Sequence, residues 1–231
     1  MREDGSAARP GALLLTVVLT LAGLEPRMEG TAPPADAGSS LRAAIRNECI
    51  AVELPPGGTL RVWPARRVRA SRPPPAGESR VARDRVQLSI QPGSLVAVAS
   101  WDSPWIDYRG QTIPAGLYAL VYAIQPQFKR HVGVSEFRDA ALLVRPADAR
   151  PGRDLAALVS ASRRVSGTSH PAVAALFAVA PDAAVPRLSA RANGGMTLEF
   201  AAGNFRIGLA LEGTGKVGET EPCWPISEVD Q

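Results

Sequence analysis

Residues 49–63 read CIAVELPPGGTLRVW, two mostly apolar runs separated by the turn residues Pro55, Pro56, Gly57 and Gly58. Short runs of this kind on either side of a Pro/Gly turn are typical of a β-hairpin. The same alternation of short apolar runs with turn residues continues through most of the chain. We therefore predict a second hairpin over residues 86–90 and 95–101, and two single strands over residues 117–124 and 140–144. A terminal meander is predicted over residues 188–192, 196–200 and 205–211.

One segment has helical rather than strand spacing. Leu155, Leu158 and Val159 recur on one face of a helix over residues 154–165. Asp154 is a favoured N-cap residue, and Gly167 lies where a glycine commonly ends a helix. About nine short strands and one helix predict a mainly β fold, a jelly-roll-like β-sandwich with one helical excursion. A β-barrel is the alternative.

The composition is that of a folded protein without a cysteine-rich or metal-cluster scaffold. Of 231 residues, 45% are hydrophobic and 21% are charged, which argues against both disorder and several membrane spans. The two cysteines lie far apart in the sequence, as do the two histidines, so the closely spaced ligand pairs of a zinc finger are absent, and two cysteines are too few for an iron–sulfur cluster. We predict a single β-sandwich domain over residues 41–231, with an Arg/Pro-rich loop at about residues 64–85.

The N-terminal residues predict export. Residues 12–24 read ALLLTVVLTLAGL, and a helix of this length rises about 20 Å, less than the roughly 30 Å hydrocarbon core of a bilayer. Arg2 and Arg9 precede this apolar stretch, as in a secretory signal peptide. We predict a signal peptide over residues 1–24, with an uncleaved N-terminal anchor as the alternative, and a linker over residues 25–40. The expected location is periplasmic or extracellular.

Export gives the two cysteines a particular meaning. Cys49 and Cys223 lie near the two ends of the mature chain. A lone pair of thiols in an oxidising compartment is most simply one disulfide bond. Two separate buried thiols are the alternative. A catalytic cysteine is disfavoured because neither has a histidine nearby in the sequence.

Arginine is concentrated in one segment. Residues 61–85 contain eight arginines against only Glu78 and Asp84, with three prolines at residues 73–75. Such a segment could hold a polyanion such as an anionic lipid or an acidic polysaccharide. A solvated loop is the interpretation that we favour, because no aromatic residue except Trp63 lies among these arginines.

Two longer segments resemble a known group of proteins. Residues 105–146 read WIDYRGQTIPAGLYALVYAIQPQFKRHVGVSEFRDAALLVRP, and residues 161–173 read ASRRVSGTSHPAV. Together they resemble a family of uncharacterised exported bacterial proteins with a YRxxxIPAGxY…QP…HxGxS…DxxLL…SGTxHPA pattern. The resemblance implies an exported β-sandwich and assigns no activity. The residues that match the pattern are Tyr108, Arg109, Ile113, Pro114, Ala115, Gly116, Tyr118, Gln125, Pro126, His131, Gly133, Ser135, Asp139, Leu142, Leu143, Ser166, Gly167, Thr168, His170, Pro171 and Ala172.

Aromatic and acidic residues cluster at one predicted strand end. Trp101, Trp105 and Tyr108 are interspersed with two aspartates. Aromatic faces beside carboxylates are common in sugar-binding patches. We therefore predict a ligand-binding surface made of these three side chains and His131. Tryptophans that close the core are the alternative.

The chain has only two histidines, His131 and His170, and both lie in the segments that carry the resemblance. With Asp139 they would form an open His₂–carboxylate site for a divalent metal ion, the one cofactor considered. Two structural histidines are the alternative. Catalysis by these histidines is disfavoured because no nucleophile motif surrounds a serine near them, so we assign no catalytic residue.

These observations favour an exported, non-catalytic binding or structural module of the cell envelope. The expected partner is a polysaccharide or another envelope component. Export argues against nucleic acid as a partner, and contact with a membrane is expected only through an uncleaved N-terminal segment. The alternative is a carbohydrate-active or metal-assisted hydrolase that uses His131 and nearby carboxylates.

Overall fold

The computed structural model describes residues 25–55, 57–71, 86–126, 137–150, 152–191 and 195–211. The strands within these ranges are β1 (Arg27–Glu29), β2 (Cys49–Glu53), β3 (Thr59–Pro64), β4 (Leu95–Trp101), β5 (Trp105–Ile106), β6 (Thr112–Ile113), β7 (Gly116–Ile124), β8 (Asp139–Val144), β9 (Val173–Ala178), β10 (Arg187–Ala190), β11 (Met196–Ala202) and β12 (Phe205–Ala210). The helices are α1 (Gly38–Ala44) and α2 (Leu155–Ser166), with short 3₁₀ helices at Ala35–Ala37 and Pro146–Asp148.

Ten of these strands form one continuous antiparallel sheet. Their order across the sheet is β1-β2-β3-β4-β7-β8-β9-β12-β11-β10, while β5 and β6 form a separate two-stranded hairpin. The sheet curls into a half-barrel, so that β3 and β11 contact each other across its concave face. The prediction of a mainly β fold with one helical excursion is confirmed. The two layers of the expected sandwich are the two halves of one curled sheet.

Strand β7 shows why the sheet is covered on both sides. Its side chains alternate between two apolar clusters: Tyr118 and Leu120 pack on the concave face, whereas Ala119 and Val121 pack on the convex face. A pleated backbone imposes this alternation with a period of two residues. The curl of the sheet covers the concave face, and α1 and α2 cover the convex face.

Helix α2 begins and ends as predicted. The side chain of Asp154 accepts a hydrogen bond from the backbone N–H of Ala157 at 2.6 Å, so Asp154 is the N-cap. Gly167 follows the helix with a φ of +68°, a left-handed conformation that glycine adopts without strain. Leu158 is buried against the convex face of the sheet. The helix is thus fixed by its two ends and by one apolar face.

Most of the predicted strands are confirmed, and one central strand is missed. The hairpin of residues 49–63 forms as β2 and β3. The predicted strands over residues 95–101, 117–124 and 140–144 match β4, β7 and β8 to within one residue. The terminal meander forms as β10, β11 and β12. The missed strand, β9, reads VAALFA and pairs with both β8 and β12, so it joins the two halves of the sheet.

The predicted strand over residues 86–90, and with it the second hairpin, is wrong. Of these residues only Ile90 makes an isolated β-bridge. The carboxylate of Asp139 accepts hydrogen bonds from the backbone N–H groups of Gln87 at 2.7 Å and Leu88 at 3.0 Å. These two N–H groups are therefore not available to a neighbouring strand, and β4 pairs with β3 and β7.

The prediction of a linker over residues 25–40 is also wrong. Strand β1 pairs with β2 at the edge of the sheet, with Met28 opposite Ile50. The indole Nε1 of Trp63 donates a hydrogen bond to the carbonyl oxygen of Thr31 at 2.9 Å. A stretch rich in proline and small residues joins the fold here because an edge strand and a side-chain donor supply partners for its backbone.

Two predicted features lie outside the described residues, wholly or in part. They are the signal peptide or anchor of residues 1–24 and residues 72–85 of the Arg/Pro-rich loop. The first part of that loop belongs to the fold, where Arg66 donates a hydrogen bond to the side chain of Asn47 at 3.0 Å. In the part of the chain that the structure describes, we find no helix of the length and hydropathy that a membrane span requires.

Replacing Leu142 by alanine tests the importance of the central strands. Leu142 is fully buried in β8 on the convex face, so we expect Leu142→Ala to lower the free energy of unfolding by about 3 kcal/mol, mainly through the cavity it leaves. Leu188→Ala, on the half-buried edge strand β10, is the matched control and should cost less than about 1.5 kcal/mol. Urea denaturation measures both losses, and equal values would contradict a central role for β8.

Candidate functional site

The predicted aromatic binding surface is buried. Trp101 and Trp105 stack with their ring centroids 5.0 Å apart, and Trp101 meets the ring of Tyr118 edge-on at 5.9 Å. Only 3% of Trp101, 7% of Trp105 and 3% of Tyr108 is exposed. The indole Nε1 of Trp105 donates a hydrogen bond to the carbonyl oxygen of Leu211 at 2.6 Å. The prediction that these three side chains bind a ligand at the surface is wrong, because burying their large apolar rings closes the core.

Asp107 is the centre of a buried hydrogen-bond network. Its Oδ1 accepts hydrogen bonds from the backbone N–H groups of Arg109 at 2.9 Å and Gln111 at 2.8 Å. Its Oδ2 accepts from the side-chain Nε2 of Gln111 at 2.8 Å and from the backbone N–H of Val173 at 3.2 Å. Burial raises the pKa of this carboxyl group, and the hydrogen bonds oppose that rise. The network fastens the β5–β6 hairpin to the start of β9.

The same network extends into the turn that follows α2. The Nε2 of Gln111 also donates to the carbonyl oxygen of Pro171 at 3.1 Å, and its Oε1 accepts from the hydroxyl of Thr168 at 2.5 Å. The hydroxyl of Ser166 donates to the carbonyl oxygen of His170 at 2.5 Å, and the backbone N–H of His170 donates to Thr168 Oγ1 at 3.1 Å. Residues of the SGTxHPA pattern therefore meet the β5–β6 hairpin here, where they hold a turn in place.

Asp139 forms a second buried polar site at the start of β8. Besides the two backbone N–H groups described above, its Oδ1 accepts a hydrogen bond from the hydroxyl of Tyr122 at 2.7 Å. Burial raises the pKa of Asp139, and its three donors oppose the rise. Burial and the adjacent carboxylate raise the pKa of Tyr122 well above its ordinary range, so the tyrosine keeps its proton and remains a donor.

The structure does not bring the predicted metal ligands together. Leu142 of β8 lies opposite Val173 of β9 in an antiparallel register. Asp139 is the first residue of β8 and His170 precedes the first residue of the antiparallel strand β9, so the two lie toward opposite ends of this strand pair. Within the described ranges, no three His, Cys, Asp or Glu side chains form a group that could hold a metal ion. His131 lies outside those ranges, and the predicted set with Asp139 and His170 is wrong.

Cys49 is buried in the convex-face cluster at the start of β2. Its Sγ lies 3.8 Å from the Oε2 of Glu29. Burial, and next this carboxylate, raise the pKa of the thiol, so the environment disfavours a reactive thiolate. Cys223 lies outside the described residues, and a disulfide bond between the two cysteines stays a prediction.

Two surface cavities among the described residues have volumes typical of ligand sites, roughly 300–1,000 Å³. One, of about 490 Å³, lies at the turn between β11 and β12 and is lined in part by Gln87, Phe205 and Arg206. The other, of about 460 Å³, lies between α1 and the beginning of α2 and is lined in part by Arg69 and Arg150. Neither cavity has a signal in the sequence, because each is lined by segments that are distant along the chain.

Comparison with known proteins identifies no relative of this chain. No protein-family model, no curated protein and no solved structure matches it. The resemblance to an exported bacterial family therefore stays a prediction.

Replacing Asp107 by asparagine tests the buried network. In the parent, each oxygen of Asp107 accepts two N–H donors, so in either orientation the NH₂ group of an asparagine would face two donors without accepting from them. We therefore expect Asp107→Asn to lower the free energy of unfolding by about 3 kcal/mol. The matched control is Asp102→Asn, which removes an exposed ion pair with Arg61 and should cost less than about 1 kcal/mol. Urea denaturation measures both, and a loss for Asp107→Asn no larger than the control's would rule out the structural role.

The raised pKa of Asp139 predicts a pH dependence of stability. An acid whose pKa is higher in the folded than in the unfolded chain binds more protons when folded. Its contribution to the free energy of unfolding therefore falls as the pH rises from the ordinary aspartate pKa to the raised one, and is level above that. Asp139→Asn should flatten this fall relative to the parent.

Tyr122→Phe is the matched variant, since it keeps the carboxylate and removes a donor that lowers its pKa. It should extend the fall in stability to higher pH. Urea unfolding midpoints between about pH 4 and pH 8 measure all three proteins. An identical pH profile for the parent and Asp139→Asn would contradict the raised pKa.

Proposed function

We propose that the protein is exported and acts as a non-catalytic binding or structural module of the cell envelope. Export is supported by the apolar stretch of residues 12–24 and by Arg2 and Arg9 before it. The expected partner is a polysaccharide or another component of the envelope. The curled antiparallel sheet supports a scaffold role, since its order is fixed by pairing along the whole width.

The proposal that the protein is not a catalyst is supported by the hydrogen bonds of two buried carboxylates, Asp107 and Asp139. A general acid or base has to reach a proton of the substrate. Asp107 and Asp139 instead accept hydrogen bonds from four and three donors of their own fold. Neither carboxylate lines either of the two cavities. Asp139 is also the carboxylate of the predicted metal site with His131 and His170, which a metal-assisted hydrolase would use, and its hydrogen bonds argue against that role.

Export is tested by fusing alkaline phosphatase, which is active only where its disulfide bonds form, to the C-terminus of the full chain. The fusion is expected to be active in intact cells. The same fusion without residues 12–24 is the control and is expected to be inactive. Equal activity of the two fusions, or no activity of either, would contradict export.

Binding is tested by incubating the purified protein with washed cell envelopes. The parent and His131→Ala should sediment with the envelopes to the same extent, and neither should release soluble sugar over time. Release of sugar by the parent that His131→Ala abolishes would identify a hydrolase and overturn the proposal. Failure of the parent to sediment with the envelopes would equally contradict it.

A further inference from the structure

The cavity between α1 and the beginning of α2, here called the helical cleft, has the shape of a binding site. Its volume is about 460 Å³, and it is lined by side chains from both helices and from the sheet beneath them. Its floor is aliphatic and is formed by Leu41 of α1, Leu95 of β4, Val121 of β7, and Leu155 and Leu158 of α2. These residues belong to the apolar cluster of the convex face or pack against it. Leu41, Val121 and Leu158 are buried, and Leu95 and Leu155 are half-buried, so the cleft reaches the edge of the core between the two helices.

The charged residues that line the helical cleft are mostly arginines. Arg69 comes from the segment after β3, and Arg150 and Arg153 come from the loop before α2. The guanidinium of Arg153 pairs with Asp148 at 2.8 Å. No carboxylate in the described part of the chain pairs with Arg69 or Arg150. The one acidic residue of the lining, Asp154, is engaged as the N-cap of α2.

The Nε of Arg150 donates a hydrogen bond to the carbonyl oxygen of Ala147 at 3.1 Å, which leaves its other N–H groups for a ligand. An aliphatic floor beside two guanidinium groups that no described carboxylate neutralises matches an amphiphile with an anionic head group. Hydrocarbon chains gain free energy by leaving water for such a floor. Guanidinium groups form charge-assisted, often bidentate hydrogen bonds to carboxylates. A polysaccharide fits less well, because the described residues that line the cleft include no aromatic side chain on which a sugar ring could stack.

We propose that the helical cleft binds a single-chain anionic amphiphile, with the acyl chain on the aliphatic floor and a carboxylate head group at Arg69 and Arg150. The inference deepens the proposed function by naming the envelope component that is bound, and it rests on that function for the source of the ligand. A fatty acid has this chemistry, with one charge at one end of an unbranched chain.

Calorimetric titration of the full chain with dodecanoate, below the concentration at which it forms micelles, tests the proposal. We expect saturable binding of one dodecanoate per chain. Arg69→Gln with Arg150→Gln should weaken it by about tenfold, because two charge-assisted hydrogen bonds are lost. Arg42→Gln with Arg46→Gln is the matched control: both arginines are exposed and lie outside the cleft lining, so the affinity should change by less than about twofold.

Two further arms separate the contributions of the chain and the head group. Acetate has the carboxylate without the chain and should show no saturable binding, and the neutral decyl maltoside should bind at least about tenfold more weakly than dodecanoate. Leu155→Trp fills the cleft from the half-buried side of α2 and should abolish dodecanoate binding. Urea unfolding of each variant shows that it remains folded.

The outcomes distinguish this proposal from the proposed function. Absence of dodecanoate binding, equal affinity for decyl maltoside, or full binding by Leu155→Trp overturns the helical cleft as the site. In those cases export of the phosphatase fusion and sedimentation with envelopes still support a binding module. If the chain binds dodecanoate but its phosphatase fusion is not exported, the helical cleft is supported as an amphiphile site. The cell envelope is then excluded as the source of the ligand.

Discussion

Strands β7 and β8 are buried on both faces, and this is the constraint on which the rest of the structure depends. A strand that is apolar on both sides needs a cover on each. The curl of the sheet supplies one cover by bringing β3 and β11 together over Tyr118 and Leu120. Helices α1 and α2 supply the other. Helix α1 has only seven residues, and the helical cleft lies between it and the beginning of α2.

The same constraint determines what the polar residues do. A carboxylate that packing removes from water needs donors from the fold, whether it begins a strand buried on both faces, as Asp139 does, or follows the short strand β5, as Asp107 does. Asp107 and Asp139 find them mainly in backbone N–H groups of neighbouring segments, so each fastens a loop to the sheet. Residues of the YRxxxIPAGxY and SGTxHPA patterns gather around Asp107 for this reason. In the sequence these motif residues resemble a catalytic or metal-binding set. In the structure their positions are explained by the hydrogen bonds that a buried carboxylate needs.

The sequence predicts those parts of the fold whose signals are local. The turn at residues 55–58 specifies a hairpin, and Asp154 and Gly167 specify the ends of α2. Features that depend on distant partners are not predicted. Residues 86–90 do not form the predicted strand, and the N–H groups of Gln87 and Leu88 bond instead to Asp139, which follows Gln87 by 52 positions. Strand β9 is missed because its alanine-rich sequence has little strand propensity of its own, and its two neighbours in the sheet decide its conformation.

The candidate sites depend even more on distant contacts. A sequence pattern of aromatic residues beside aspartates does not show whether the rings face solvent or the core. Trp101 and Trp105 pack in the apolar cluster of the concave face. Arginine is uninformative for a different reason, since all but two of the 26 basic residues are arginine. The fold selects among them by placing Arg69 and Arg150, from separate loops, beside one aliphatic floor. Guanidinium groups are weakly hydrated and therefore lose little hydration energy when they bind an oxyanion. Their placement in the cleft favours such binding, which the net charge of the chain does not predict.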